Sequence, residues 1–219
     1  MAKIVIFGAG DIARLAHHYF ERDSGHQVVA FTVDRAYRAG DRFGGLPLVD
    51  FDEVAARYPP PDFGMFVAVS YAKMNSLRAQ KYREAKALGY ELASYVSSRC
   101  SFLTDEPAGD NCFILEDNTV QPFVKIGNDV TLWSGNHVGH DSEIGDHCFI
   151  SSHVVISGHV RIGPFSFIGV NATLRNGIAI GERSLVGAGA IVMRDTADGS
   201  VHLARPATLS DKGSDEVDL

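Results

Sequence analysis

Three cysteines in 219 residues, Cys100, Cys112 and Cys148, are an odd number and show no C-x-x-C spacing. That argues against a disulfide framework and points to a reducing compartment, the cytoplasm. Basic runs are missing as well. Twenty Lys and Arg stand against 27 Asp and Glu, a formal net charge of −7, which argues against nucleic acid or an anionic membrane as partner. No stretch approaches the roughly 18 apolar residues of a membrane span. The opening MAKIVIFGAGD reads as a strand and a turn rather than a signal peptide, because its apolar run is short. What is present suits a globular chain: 45% hydrophobic residues and enough length for one large or two small cores.

The first half alternates short apolar runs with amphipathic stretches. It predicts strands at 3–7, 28–34, 46–51, 65–70 and 91–97, and helices at 11–20, 52–58 and 74–88. Alternation of this kind implies a parallel sheet covered by helices, here a small Rossmann-like domain over residues 1–96. Gly8-Ala9-Gly10-Asp11-Ile12-Ala13 lies between a predicted strand and helix, where backbone amides suit a phosphate. Asp34 ends the second strand and suits a ribose hydroxyl. So few strands make only one mononucleotide half, which argues against a whole NAD site.

The second half obeys another period. Every sixth residue from Ala108 to Val192 is aliphatic, fifteen positions in all, and the next residue is glycine at eight of them. Ile-Gly pairs recur at every third hexapeptide, at 126, 144, 162 and 180. A six-residue repeat that resets after three units marks a triangular parallel β-helix of about five coils. Each hexapeptide supplies one short strand and one turn, with the aliphatic residue pointing inward and glycine or asparagine easing the turn. The repeat is lost after 194, and the acidic end, SDKGSDEVDL, reads as a disordered tail over 209–219.

This frame resembles that of the hexapeptide-repeat acyltransferases. With the N-terminal domain added, it is similar to the sugar acyltransferases grouped with sialic acid O-acetyltransferase, which include nucleotide-amino-sugar N-acetyltransferases. IVIFGAG, HDSEIGD at 140–146, GVNATLRNGIAIG at 169–181 and VGAGAIV at 186–192 carry the resemblance. It implies a left-handed β-helix over 97–208, a homotrimer with active sites between subunits, acetyl-CoA as co-substrate and a nucleotide-linked sugar held by the N-terminal domain. The alternatives are O-acetylation of sialic acid or another free sugar, and a non-catalytic trimer that binds nucleotide sugars.

The resemblance assigns His140 as general base. An imidazole, with an ordinary pKa of about 6.5, suits proton removal at neutral pH. In related enzymes a Glu just before the histidine can orient it. Here that position is Gly139, which leaves Asp141, Glu143, Asn136 or a neighbouring subunit for the task. Asp141 belongs to the shared motif, although adjacent residues on a strand point opposite ways. For acetyl-CoA the matching positions are Gly158, Val170, Asn171, Gly187 and Ala188, with the Gly158 amide facing the thioester oxygen. Arg194 and Arg205 suit CoA phosphates. For the sugar nucleotide the resemblance points to Gly8, Gly10, Asp11 and Asp34, and to Ser70, Tyr71, Lys73, Asn75 and Arg78 after the fourth strand. His147, His153 and His159 share one repeat position, so single-hexapeptide steps place them on separate faces, and His137 lies near His140. No metal is expected.

Overall fold

The structure is a computed structural model that describes residues 2–60, 62–211 and 213–216. The N-terminal half is an open five-stranded sheet in the order β3-β4-β2-β1-β5. Its strands are β1 (Ala2–Phe7), β2 (His26–Val33), β3 (Arg42–Phe43), β4 (Leu46–Asp50) and β5 (Phe63–Val67). Pairing is parallel except for the β3–β4 hairpin. Helices α1 (Asp11–Asp23), α2 (Val54–Arg57) and α3 (Ser76–Ala87) cover it. Alternation along β1 feeds two cores. Ile4 and Ile6 pack with Ala13, Ala16 and Phe20 of α1. Val5 and Phe7 pack on the other side with Val54 of α2 and Ala85 of α3.

The predicted strand at 91–97 does not complete this sheet. Leu92 makes a single bridge to Met65, and Tyr95–Val96 pairs instead with Phe113–Ile114. The chain has already crossed into the second half. The hairpin strand β3 went unpredicted because so short a strand cannot carry a period.

From residue 95 the chain winds as a β-helix of very short strands in three parallel sheets of four, six and seven strands. Each strand pairs with the equivalent strand one coil on, as in Thr131↔Phe149 and Phe149↔Phe167. Fourteen of the fifteen predicted inward residues are buried in one cluster, with Ala108 packed against its end. Each buried Ile or Leu contributes roughly 1.5–3 kcal/mol. The sequence repeat fades after 194, but the winding does not stop there. Val201–His202 adds a last strand on Leu185–Val186.

The corners revise one expectation. The glycine after each inward residue is not the residue that turns. Every sixth residue from Asn111 to Gly189 has φ between 55° and 79°, including Asp141, His147, His153 and His159. This left-handed conformation costs a non-glycine residue roughly 1–2 kcal/mol. It aims the corner amide down the stack, as in His159 N to His140 O, 2.9 Å, and Phe165 N to Asp146 O, 2.9 Å. The adjacent glycine answers a different demand. A Cβ on Gly139 would stand 2.5 Å from Gly158 N of the next coil.

The seven-stranded sheet faces the N-terminal half. Tyr95, Phe113 and Leu115 join the core beneath α1, and Tyr71 lies edge-on to Phe149 at 5.0 Å. At the end of α1, Asp23 accepts hydrogen bonds from Tyr95 Oη at 2.6 Å and Ser98 N at 2.9 Å. Hydrogen bonds from Ser98 and then Tyr95 hold the Asp23 carboxyl down from 3.8 to about 2. A depressed carboxylate contributes stability above its unfolded pKa and loses it as pH falls through the folded one. Acid unfolding is therefore expected to steepen from about pH 5 towards about pH 2. Asp23→Asn should lack that component in a pH series of denaturant midpoints; an unchanged profile would refute the assignment.

Candidate active site and nucleotide cavity

Two places in the fold gather chemistry. The first is the corner between the six-stranded and four-stranded sheets, where strand His137–Val138 ends and Glu143–Ile144 begins. Its backbone is pinned by His140 N to Gln121 Oε1 at 2.9 Å and Asp141 N to Pro122 O at 3.3 Å. His140 Nδ1 lies 2.8 Å from Asp141 Oδ2. The rule that adjacent strand residues diverge does not hold here, because the strand stops at Val138 and Asp141 has φ 59°. The left-handed turn swings the carboxylate back to its neighbour's ring. Asn136 is instead buried, and its Oδ1 caps Val154 N at 2.7 Å.

The far edge of the imidazole lies over the next coil. A Cβ on Gly158 would stand 2.9 Å from His140 Nε2, so glycine keeps that approach open. Among the described residues the Gly158 N–H meets no acceptor. Gly139 is bounded just as tightly, so a glutamate there would collide with Ser157 and Gly158. The carboxylate beside the ring is that of Asp141, on the other side of His140 in sequence.

His159 lies one residue beyond Gly158, and its ring stands edge-on to His140 with centroids 5.0 Å apart. The sequence reading set His159 apart from His140 because it compared only histidines of one repeat position. The two are separated by one full coil and a single further residue, and that step is what brings them together. The other two corner histidines do lie elsewhere. His147 is buried against Asp129 at 2.8 Å, and His153 is on the corner between the seven-stranded and six-stranded sheets.

Val170, Asn171, Gly187 and Ala188 stand on the same corner as His153, between strands of the seven-stranded and six-stranded sheets. Within one chain they do not meet His140 and Gly158, which occupy a different edge of the prism. Arg194 and Arg205 are exposed near the end of the winding.

The second place is a cavity of about 550 Å³ at the ends of β1, β2 and β5, lined by Phe7, Gly8, Gly10, Asp34, Tyr37 and Lys81 among others. The Gly8 amide is committed to Thr32 O at 2.8 Å, so a ligand must use amides further along. Lys81, which sequence reasoning missed, reaches Asp34 Oδ1 at 2.6 Å and Glu84 Oε2 at 2.7 Å. Burial alone would push its ammonium down, but the bonds to Asp34 and Glu84 outweigh it and hold the pKa above the usual lysine value. The signal for Lys81 was its place on the Leu77 face of α3, one helical turn on.

The residues after β5 depart from the prediction. Ser70, Tyr71, Lys73 and Asn75 do not line the cavity. Lys73 is exposed, with φ 53°. Tyr71 rests on Phe149 and Phe167. Asn75 is fully buried, and its Nδ2 donates to Phe165 O at 3.1 Å and Ser166 O at 3.2 Å. Arg78 is buried against Asp129. These last two join the halves of the molecule, so neither is available to a nucleotide. Asp11 is exposed and paired with Arg14 at 3.1 Å.

All three cysteines are free thiols, and burial pushes Cys112 and Cys148 up to about 12. Among the described residues no helix is long and apolar enough to cross a membrane.

Comparison with known proteins agrees with the fold. Residues 123–158 match the bacterial transferase hexapeptide family of six repeats, and residues 159–194 match the hexapeptide repeat of succinyl-transferase. An acyl-[acyl-carrier-protein]–UDP-N-acetylglucosamine O-acyltransferase from Burkholderia mallei is 28% identical over 102 residues. That is 42% of this chain and 39% of the relative, so the chain matches well under half the length of such curated relatives. Solved structures match much further. The acetyltransferase domain of PglB from Neisseria gonorrhoeae FA1090 is 25% identical, with a TM-score of 0.81 over 95% of this chain and 99% of its own. It has also been solved with acetyl coenzyme A. Perosamine N-acetyltransferase from Caulobacter crescentus is 25% identical, with a TM-score of 0.82 over 97% of this chain and 98% of its own. It has been solved with CoA and GDP-perosamine, including as histidine-to-asparagine and histidine-to-alanine mutants. An α/β sheet followed by a β-helix is thus the fold this chain shares with these acetyltransferases, and its repeats over 123–194 are those of the hexapeptide-repeat transferases.

Proposed function

We propose that the protein transfers an acetyl group from acetyl-CoA to an amine, or less favourably a hydroxyl, of a nucleotide-linked sugar. The observation that carries this is the His140 ring, with Nδ1 on Asp141 at 2.8 Å and its opposite edge over Gly158. Asp141 fixes the tautomer that leaves Nε2 with its lone pair outward. The acceptor nitrogen attacks the thioester carbonyl while Nε2 takes its proton. The Gly158 amide donates to the developing oxyanion. Collapse breaks the C–S bond, and the imidazolium returns the proton to the leaving CoA sulfur. No covalent enzyme intermediate forms. The solved N-acetyltransferase neighbour supports the preference for an amine.

The cavity at Gly10, Asp34 and Lys81 takes the nucleotide in this reading, with Asp34 on the ribose and Lys81 beside the diphosphate. Residues 1–96 then serve as the nucleotide domain and 97–208 as the acyl-transfer domain. Of the 209–219 tail, residues 212 and 217–219 lie outside the described residues; Ser214–Glu216 form a short 3-10 turn. A homotrimer completes the site. The acetyl-CoA positions at Val170, Asn171, Gly187 and Ala188 are on a different edge from His140, and a neighbouring chain brings the two edges together. Val155, Ile191 and Met193, apolar and exposed in one chain, supply a surface for that contact. A cytoplasmic setting supplies both substrates.

The test is a thermal-shift screen with acetyl-CoA and with UDP-, GDP- and dTDP-linked sugars beside free sugars. Both acetyl-CoA and one class of nucleotide sugar should raise Tm, since a ligand at 100 times its Kd adds about 2.7 kcal/mol. A shift with free sialic acid alone favours the free-sugar reading, and no shift with acetyl-CoA overturns acyl transfer.

A further inference from the structure

His140, Asp141 and His159 do more than surround a base. Among the described residues they are the one group of three metal-ligating side chains whose donor atoms all lie within 4.8 Å of one another. Two imidazoles and a carboxylate are a donor set that suits a borderline divalent transition ion rather than Mg²⁺ or Ca²⁺. Three protein ligands also leave a fourth position for water. We propose that this corner is an inhibitory site for a divalent transition-metal ion, with Zn²⁺ as its probe.

The geometry is close to what the ion needs. At Zn–N and Zn–O lengths of about 2.0–2.2 Å, tetrahedral ligands stand about 3.3–3.6 Å apart. Asp141 Oδ2 lies 2.8 Å from His140 Nδ1 and 4.0 Å from His159 Nε2. The first contact has to open and the second to close by about half an ångström each, and both adjustments fall on side chains that are about half exposed, with relative exposures of 51%, 43% and 57%. The backbone beneath them does not have to move. His159 N donates to His140 O at 2.9 Å, so the two coils are already tied at the ligands themselves.

Inhibition follows from which atoms the ion takes. Bound at His140 Nε2, it occupies the lone pair that accepts the acceptor's proton. Bound at Nδ1, it severs the Asp141 contact that sets the tautomer. In either case metal and proton compete for one imidazole. The inhibitory consequence rests on the base role proposed for His140, whereas the binding itself does not.

The experiment follows histidine ring nitrogens by ¹⁵N NMR in the full-length protein during titration with ZnCl₂, alongside acetyl transfer with and without EDTA. The His140 and His159 signals should move together and saturate at one ion per chain, and MgCl₂ should leave them in place. Zinc should inhibit transfer and EDTA should restore it. His159→Asn keeps a residue suited to the left-handed corner, so it tests the site without breaking the turn. Loss of an outer-shell partner alone costs about 10–100-fold in metal affinity, so this direct ligand should cost at least tenfold. Zinc shifts confined to other histidines, or wild-type affinity in His159→Asn, would overturn the site. Turnover that continues with zinc on both rings would overturn its inhibitory role. Saturable zinc binding by a protein without acetyl transfer would support the site and count against the proposed activity, so the two failures are distinguishable.

Discussion

Replacing His140 with alanine is expected to lower kcat for acetyl transfer by about 10²–10⁴-fold, the usual contribution of a positioned acid–base group. The fold should survive the change. His140 is half exposed and stands outside the aliphatic cluster that fills the prism. Its backbone amide, bonded to Gln121, is untouched by the substitution. Acetyl-CoA should still raise the melting temperature of the variant, because the Gly158 amide and the other corner are intact. The loss should therefore appear in kcat more than in KM for the thioester. Thiol release is the measurement, and turnover within about twofold of wild type would remove His140 from the proposed chemistry.

The β-helix was legible in the sequence because one physical demand recurs at every coil. An inward aliphatic residue must stack on its equivalent in the next coil, so the period is written out from Ala108 to Val192. The corner geometry was less legible. Left-handed φ is usually associated with glycine and asparagine, yet Phe123, Phe165, Arg183 and three histidines adopt it here. Coil-to-coil hydrogen bonds offset the local cost, and those are invisible in a linear pattern. The same blindness separated His140 from His159. Repeat phase shows which residues share a column, but not which residues of neighbouring columns touch.

The N-terminal half divides in the same way. Gly10 and Asp34 were readable because a strand-turn-helix places them at the strand ends. Asn75 and Arg78 were not readable as a joint, and Lys81 was marked only by its place one turn after Leu77, because α3 has too few apolar residues to declare a buried face. Its buried residues are Arg78, Ala79, Lys81 and Ala85, two of them cations. A basic helix after a strand at a sheet's switch point reads as a phosphate binder until the β-helix that covers it is known.

Arg78 is accordingly the residue whose loss should unsettle the whole molecule. It is 2% exposed and donates from Nε to Asp129 Oδ1 at 3.0 Å. From Nη2 it reaches the carbonyls of Asp129, His147 and Cys148 at 2.9, 3.1 and 3.1 Å. Asp129 is fully buried and also receives Asn111 Nδ2 at 2.7 Å. Arg78→Met keeps much of the volume but leaves the Asp129 carboxylate with only Asn111 and His147 beside it and no fixed cation, and takes a donor from the carbonyls of Asp129 and His147, while Cys148 O keeps Thr131 N at 3.0 Å. Removing one partner of a buried pair costs about 3–5 kcal/mol, which for a chain of this size lowers Tm by about 6–20 °C. Arg78→Lys should not rescue fully, because one ammonium with three donors cannot serve the Asp129 carboxylate and the three carbonyls together, as the guanidinium does from Nε and Nη2. Arg78→Met with Asp129→Asn should recover part of the loss, since the uncompensated charge goes with the partner and asparagine tolerates the left-handed corner. Arg78 also sits one helical turn before Lys81, so a loosened joint displaces a wall of the nucleotide cavity. The expected signature is a lower Tm together with weaker nucleotide-sugar binding. A drop below about 1 kcal/mol in denaturant titration would mean that the halves are held chiefly by the shared core of Tyr95, Phe113 and Leu115 and not by this ion pair.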